Sequence, residues 1–80
     1  MVEIVSDWVH KVWARWMEYV FACSIYNEED GTYTIPRNEV IRWKRQIATE
    51  YRDLSEFEKY SDRQLANEVI HLMGEDECLE

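Results

Sequence analysis

The sequence predicts a mainly α fold: a compact small domain of three to four helices with one short extended segment or strand near residues 32–35. Three observations predict it. Apolar residues recur at helical spacing through the first quarter of the chain, Asp30-Gly31 followed by Thr-Tyr-Thr-Ile interrupts that pattern, and serine capping signals precede an apolar pattern that ends at Met73-Gly74. Eighty residues make one domain, which covers 1–74 in this reading. Four Trp, five Tyr and two Phe supply the bulk that so short a chain needs for a core. That aromatic content argues against disorder, despite 32% charged residues.

From about Val5 to Ser24, the residues Val5, Trp8, Val9, Val12, Trp13, Trp16, Tyr19, Val20 and Cys23 fall on one side of a helical wheel. Asp7, Lys11, Ala14, Arg15, Glu18 and Ala22 fall on the other. Glu3 and Asp7 suit the positive end of the helix dipole. Helical spacing places Trp8, Trp13 and Trp16 in the core, with Trp8 at the edge of the apolar sector and therefore the most exposed of the three. A stacking platform for a base is the alternative use of these rings.

After the helix, Asp30-Gly31 favours a turn and Thr32 to Ile35 favours extended structure. Pro36 then opens a second helix, where its missing N–H costs nothing, and that helix runs to about residue 49. Val40, Trp43, Ile47 and Tyr51 form its apolar face. Ser55 and Glu58 make a capping box, and Ser61-Asp62-Arg63-Gln64 repeats the pattern six residues later. The sequence therefore predicts a short helix at 55–60, a break or kink near Ser61 and a final helix at about 62–73 closed by Gly74. A continuous helix over 55–73 would instead set Glu58 and Asp62 close to the apolar face carrying Leu54, Leu65, Val69 and Leu72. Residues 75–80 read as a frayed acidic tail, whose Leu79-Glu80 is compatible with an expression-vector scar.

The formal net charge is −8, which disfavours binding to nucleic acid or to anionic lipid. Charge is unevenly placed. Residues 36–52 carry Arg37, Arg42, Lys44, Arg45 and Arg52 against Glu39 and Glu50, a local +3 that leaves −11 on the remainder. Cys23 and Cys78 are too isolated for a disulfide framework or a zinc knuckle and read as free thiols of a cytoplasmic protein. No membrane span or secretory signal pattern is present, and residues 27–31 lack the alternating ligands of a calcium loop. No catalytic residue, metal ligand or cofactor motif is assigned.

The segment Leu54-x-x-x-Glu58-Lys59-x-x-Asp62-Arg63, together with His10-x-x-Trp13, resembles the ryanodine-receptor-type (RyR) domain, a small helical module of calcium-release channels and of bacterial and phage proteins. That family's Gly-Trp-x-Tyr-Gly strand and His-Pro element are absent here. The Asp30-Gly31 turn, Ile35-Pro36 and Trp43-Lys44-Arg45-Gln46 are similar to those of small phage-encoded proteins of unknown function. The resemblance implies a non-enzymatic binding module docking to a host or phage protein.

A receptor or sponge for a nucleotide-derived ligand is the alternative, and an acidic mimic of DNA the third reading. Candidate contact residues are Arg37, Arg42, Lys44, Arg45 and Trp8. Ser55, Glu58, Lys59, Asp62 and Arg63 are assigned to capping and ion pairing, with Asp62 at a helix start. On that assignment, Asp62→Ala costs about 0.5–2 kcal/mol through a lost cap. The expected partner is a protein, no membrane or nucleic acid partner is expected, and the broad apolar sector of the first helix allows a homodimer.

Overall fold

A computed structural model of the chain describes residues 1–74, so the tail expected at 75–80 lies outside the described residues. The described residues form three α-helices and one two-stranded antiparallel sheet: α1 (Val2–Ala22), β1 (Ile25–Asn27), β2 (Thr32–Thr34), α2 (Arg37–Ile47) and α3 (Glu56–Leu72), with a 3-10 turn at Tyr51–Asp53 before α3. The fold is mainly α. No helix among the described residues is long and apolar enough to cross a membrane.

The extended segment near 32–35 is one half of a hairpin. Its partner β1, which the sequence reading leaves unassigned, pairs Ile25 with Thr34, Tyr26 with Tyr33 and Asn27 with Thr32. Gly31 makes the reversal at φ +75°, a left-handed conformation open to glycine without steric cost. Its N–H donates to the Asn27 carbonyl at 2.8 Å. Asp30 closes the turn by accepting from the Thr32 hydroxyl at 2.7 Å and the Thr32 N–H at 3.1 Å, and these bonds hold its carboxyl below the ordinary carboxylate range. Asp30 thus spends a carboxylate oxygen on the turn. Phe21, Tyr26 and Tyr33 pack as a tilted aromatic row over this hairpin, at centroid spacings of 4.9 and 5.1 Å.

The two-part reading of the last helix is overturned, because α3 runs unbroken from Glu56 to Leu72 with Ser55 as its N-cap. Ser55 accepts from the Glu58 N–H at 3.2 Å, and Glu58 accepts from the Ser55 N–H at 3.2 Å. The reason for expecting a break, Glu58 and Asp62 against the apolar face, is answered at Glu58 by a partner from another element. Glu58 turns inward, only 12% of its side chain exposed, and takes Arg45 of α2 at 3.0 Å. One turn from the end, Glu68 accepts from the Trp8 indole N–H at 2.9 Å and from both Arg15 guanidinium nitrogens at 2.9 and 3.2 Å. The i to i−4 ladder continues through Ser61, with Glu58 paired to α2 and Asp62 half-buried without an ion pair among the described residues. Asp62 therefore stands inside the helix and is not its cap, so the stability cost assigned to Asp62→Ala no longer follows. Gly74, at φ +79°, lies just past the C-cap Met73 and donates its N–H to the His71 carbonyl at 3.0 Å.

Packing around α1 departs most from expectation. Trp13 and Trp16, placed in the core by their spacing, are 57% and 43% exposed. Trp8, placed at the exposed edge, is half-buried. The cause is the Arg15–Glu68–Trp8 cluster, which draws α3 onto that edge of the apolar sector. Trp13, roughly 140° round the helix from Trp8, is left on the opposite edge, stacked on His10 at 5.9 Å. None of the described residues is fully buried.

Candidate functional site

An open groove of about 1040 Å³ lies between the C-terminal half of α1, α2 and the N-terminal half of α3. Helical periodicity builds each wall. Trp16, Tyr19 and Val20 recur at i, i+3 and i+4 on α1, Trp43, Gln46 and Ile47 do so on α2, and Phe57, Tyr60, Ser61 and Gln64 line the α3 side. Trp16 meets Tyr19 edge-on at 5.9 Å, and Tyr19 meets Trp43 at 6.0 Å, so the floor is one continuous aromatic strip. At the lip, Ile47 and Phe57 stand 84% and 83% exposed.

The charged groups of the groove are already engaged. Arg42 binds both carboxylate oxygens of Glu39 at 3.1 Å and donates to the Tyr19 hydroxyl at 2.6 Å. These bonds raise the Arg42 pKa further and hold Glu39 below the ordinary carboxylate range, with the Cys23 thiol helping to lower it. Glu58 is held low by the Ser55 N–H, and more weakly by the Ser55 hydroxyl and Arg45. A carboxylate stabilised in this way stays ionised at neutral pH, which suits a fixed structural anion better than a general acid. The remaining polar groups, the Gln46 and Gln64 amides and the Ser61 hydroxyl, can exchange hydrogen bonds with a docked chain.

The cationic residues read from the sequence do not converge. Arg37 and Lys44 share one side of α2, while Arg42 lies roughly 150° round the helix from them. Arg42 and Arg45 are committed to Glu39 and Glu58. Trp8 sits away from α2, against Glu68 and beside a shallow 380 Å³ depression formed with Glu3, Ile4 and Leu72. Lys59 and Arg63 gather instead around Tyr51: Lys59 lies 5.7 Å from its ring centre and Arg63 donates to its hydroxyl at 3.1 Å. Both also approach Glu56, at 3.7 and 3.6 Å. These contacts tie the 3-10 turn to α3. No group of three or more His, Cys, Asp or Glu able to hold a metal ion occurs among the described residues.

The groove itself was missed from the sequence. A signal existed: on a continuous α3, Phe57, Tyr60 and Gln64 share one side, apart from Leu65, Val69 and Leu72. The expected break at Ser61 hid it. Comparison with family models, with curated proteins and with solved structures finds no match to this chain.

Proposed function

We propose that this chain is a non-catalytic interaction module that docks to another protein through the aromatic groove between α1, α2 and α3. The observation that carries the reading is the pair Ile47 and Phe57, each more than four-fifths exposed at the lip of an aromatic groove in a chain with no fully buried residue among those described. Large apolar side chains held in water on a contiguous surface mark an interface. Aromatic anchors, amide hydrogen-bonding groups and internally paired charges match the composition of such interfaces. The likeness read in the sequence to the RyR-type domain and to phage-encoded proteins supports a protein-docking role. The nucleotide-receptor reading draws less support, since it needs Arg42, Lys44 and Arg45 to act together on one ligand.

The test is affinity capture with the wild-type chain, with Ile47→Asp and Phe57→Asp, and with Ile41→Asp. Ile41 is 58% exposed on the same helix, roughly 120° away from Ile47 and outside the groove. A partner protein retained by wild type and by Ile41→Asp, and lost from both groove variants, is the expected result. Loss with Arg37→Ala and Lys44→Ala, and none with the groove variants, would move the function to the basic face of α2.

A further inference from the structure

We infer that the occupant of the groove is a second copy of this chain, seated on it as an isologous homodimer; the inference rests on the docking role proposed for this groove and names its partner. Area is the first argument. The chain exposes 6828 Å², whereas a folded monomer of 9.8 kDa exposes roughly 5200 Å². Crediting residues 75–80 with the most they could expose, roughly 1000 Å², still leaves an excess of about 900 Å² over the roughly 4900 Å² expected for 1–74. A stable interface of standard size removes roughly 800 Å² from each partner. The surplus, taken over the whole chain, is of the size of one half of a dimer interface.

Shape is the second argument. Knob and recess lie on the same face: Ile47 and Phe57 project beside the groove floored by Trp16, Tyr19 and Trp43. A two-fold axis requires this self-complementarity, since the lip of each copy must enter the recess of the other. A helix supplied by an unrelated protein would fill the recess and leave the projecting pair only partly covered.

Sedimentation equilibrium of the full chain over 1–100 µM tests the inference, run on wild type, Ile47→Asp, Phe57→Asp and Ile41→Asp, with far-UV circular dichroism to verify that each variant is folded. Wild type and Ile41→Asp are expected at twice the chain mass. Each groove substitution removes a buried apolar side chain twice in a symmetric dimer and should raise the dissociation constant by roughly 100-fold or more. A wild-type chain that stays monomeric at 100 µM overturns the inference. So does a dimer that both folded groove variants retain, or one that Ile41→Asp splits as readily. If wild type is monomeric but capture of a different protein is lost on Ile47→Asp, the groove remains a docking site and only the self-association falls. If neither association depends on the groove, both readings fall.

Discussion

Ser55 and Ser61 offer a direct comparison, because the sequence gives them the same local pattern and the structure gives them opposite roles. Ser55 is the N-cap of α3, engaged with Glu58 at 3.1 and 3.2 Å, while Ser61 lies in the second turn of an unbroken helix. Replacing Ser55 by Ala removes the acceptor that satisfies the Glu58 N–H and should cost about 1 kcal/mol, within a range of roughly 0.5–2. For a domain of this size, that lowers the melting temperature by roughly 4–8 °C. Ser61→Ala removes no cap and replaces serine with the better helix former, so stability should rise by up to about 0.5 kcal/mol, or roughly 2–4 °C. Thermal denaturation followed at 222 nm reads both, and because Ser55 and Ser61 line the groove the two are compared in the Phe57→Asp background, where association through the groove is removed. Ser61→Ala falling by as much as Ser55→Ala would show that a second helix starts at Ser61 and would refute the continuous α3 on which the Phe57 to Gln64 wall depends.

The turn at Gly31 gives a second expectation: its Cβ position meets no atom within 4 Å, so Gly31→Ala costs only the left-handed backbone, about 1–2 kcal/mol, and Gly31→Asn should cost less than Gly31→Ala. Equal melting temperatures for Ala and Asn would mean that φ is not what the position selects. Trp8→Phe keeps an aromatic ring but loses the indole N–H to Glu68, so the melting temperature should fall while the sedimentation mass stays that of wild type; an association defect without a stability change would return Trp8 to a binding role. Glu39, Glu58 and Glu68 are all held below the ordinary 4.5, so each contributes stability that is present above pH 4.5 and lost as pH falls through its lowered folded value. Relief of the −8 self-repulsion opposes that loss over the same range. The informative quantity is therefore the difference between wild type and Glu68→Gln: wild type should be the more stable from pH 7 to about 5, with the gap closing below, and a gap independent of pH would show that Arg15 and Trp8 do not distinguish the ionised acid.

Much of the local structure is legible in the residues, because it depends on neighbours in sequence. The helical period of α1, Pro36 ahead of α2, the Asp30-Gly31 reversal and the Ser55–Glu58 box each depend on groups a few positions apart. Beyond that range the reading weakens for identifiable reasons. Ile25 and Tyr26 carry strand propensity, but three residues make a strand only by pairing with Thr32–Thr34, a partner choice that no short pattern announces. The wheel of α1 shows which sector is apolar and not which half of it a neighbour covers. That choice belongs to Arg15 and Glu68, 53 positions apart. The same long-range pair converts Trp8 from an exposed edge residue into a hydrogen-bond donor within the fold and puts Trp13 in water. Similarly, Arg45 reaching Glu58 removes the objection to a continuous α3, and with the helix continuous the groove wall appears. The basic set on α2 was legible as residues but not as an arrangement, since a count of charges carries no angle around the helix.

These pairs also account for why the groove is open. α1 is joined to α3 through Arg15 and Glu68, α2 to α3 through Arg45 and Glu58, and α2 to α1 through Arg42 and the Tyr19 hydroxyl. Each link is made by a long side chain carrying a polar head, which lets two helices be fixed in register with little apolar contact beyond Tyr19 against Trp43. A core formed by interdigitated Leu and Val would draw the helices together and bury Ile47 and Phe57 as it closed. Here Leu54, Leu65, Val69 and Leu72 are each only half-buried. Charged links set orientation at little net cost or gain in free energy when they are exposed, so the apolar contribution that a small domain needs must come from surface still in water. On this reasoning folding and association are linked: covering Trp16, Trp43, Ile47 and Phe57 supplies a share of the stability that the isolated chain lacks, and the melting temperature should rise with protein concentration. A melting temperature unchanged across a hundredfold range of concentration would mean that the polar links and half-buried apolar residues are sufficient by themselves.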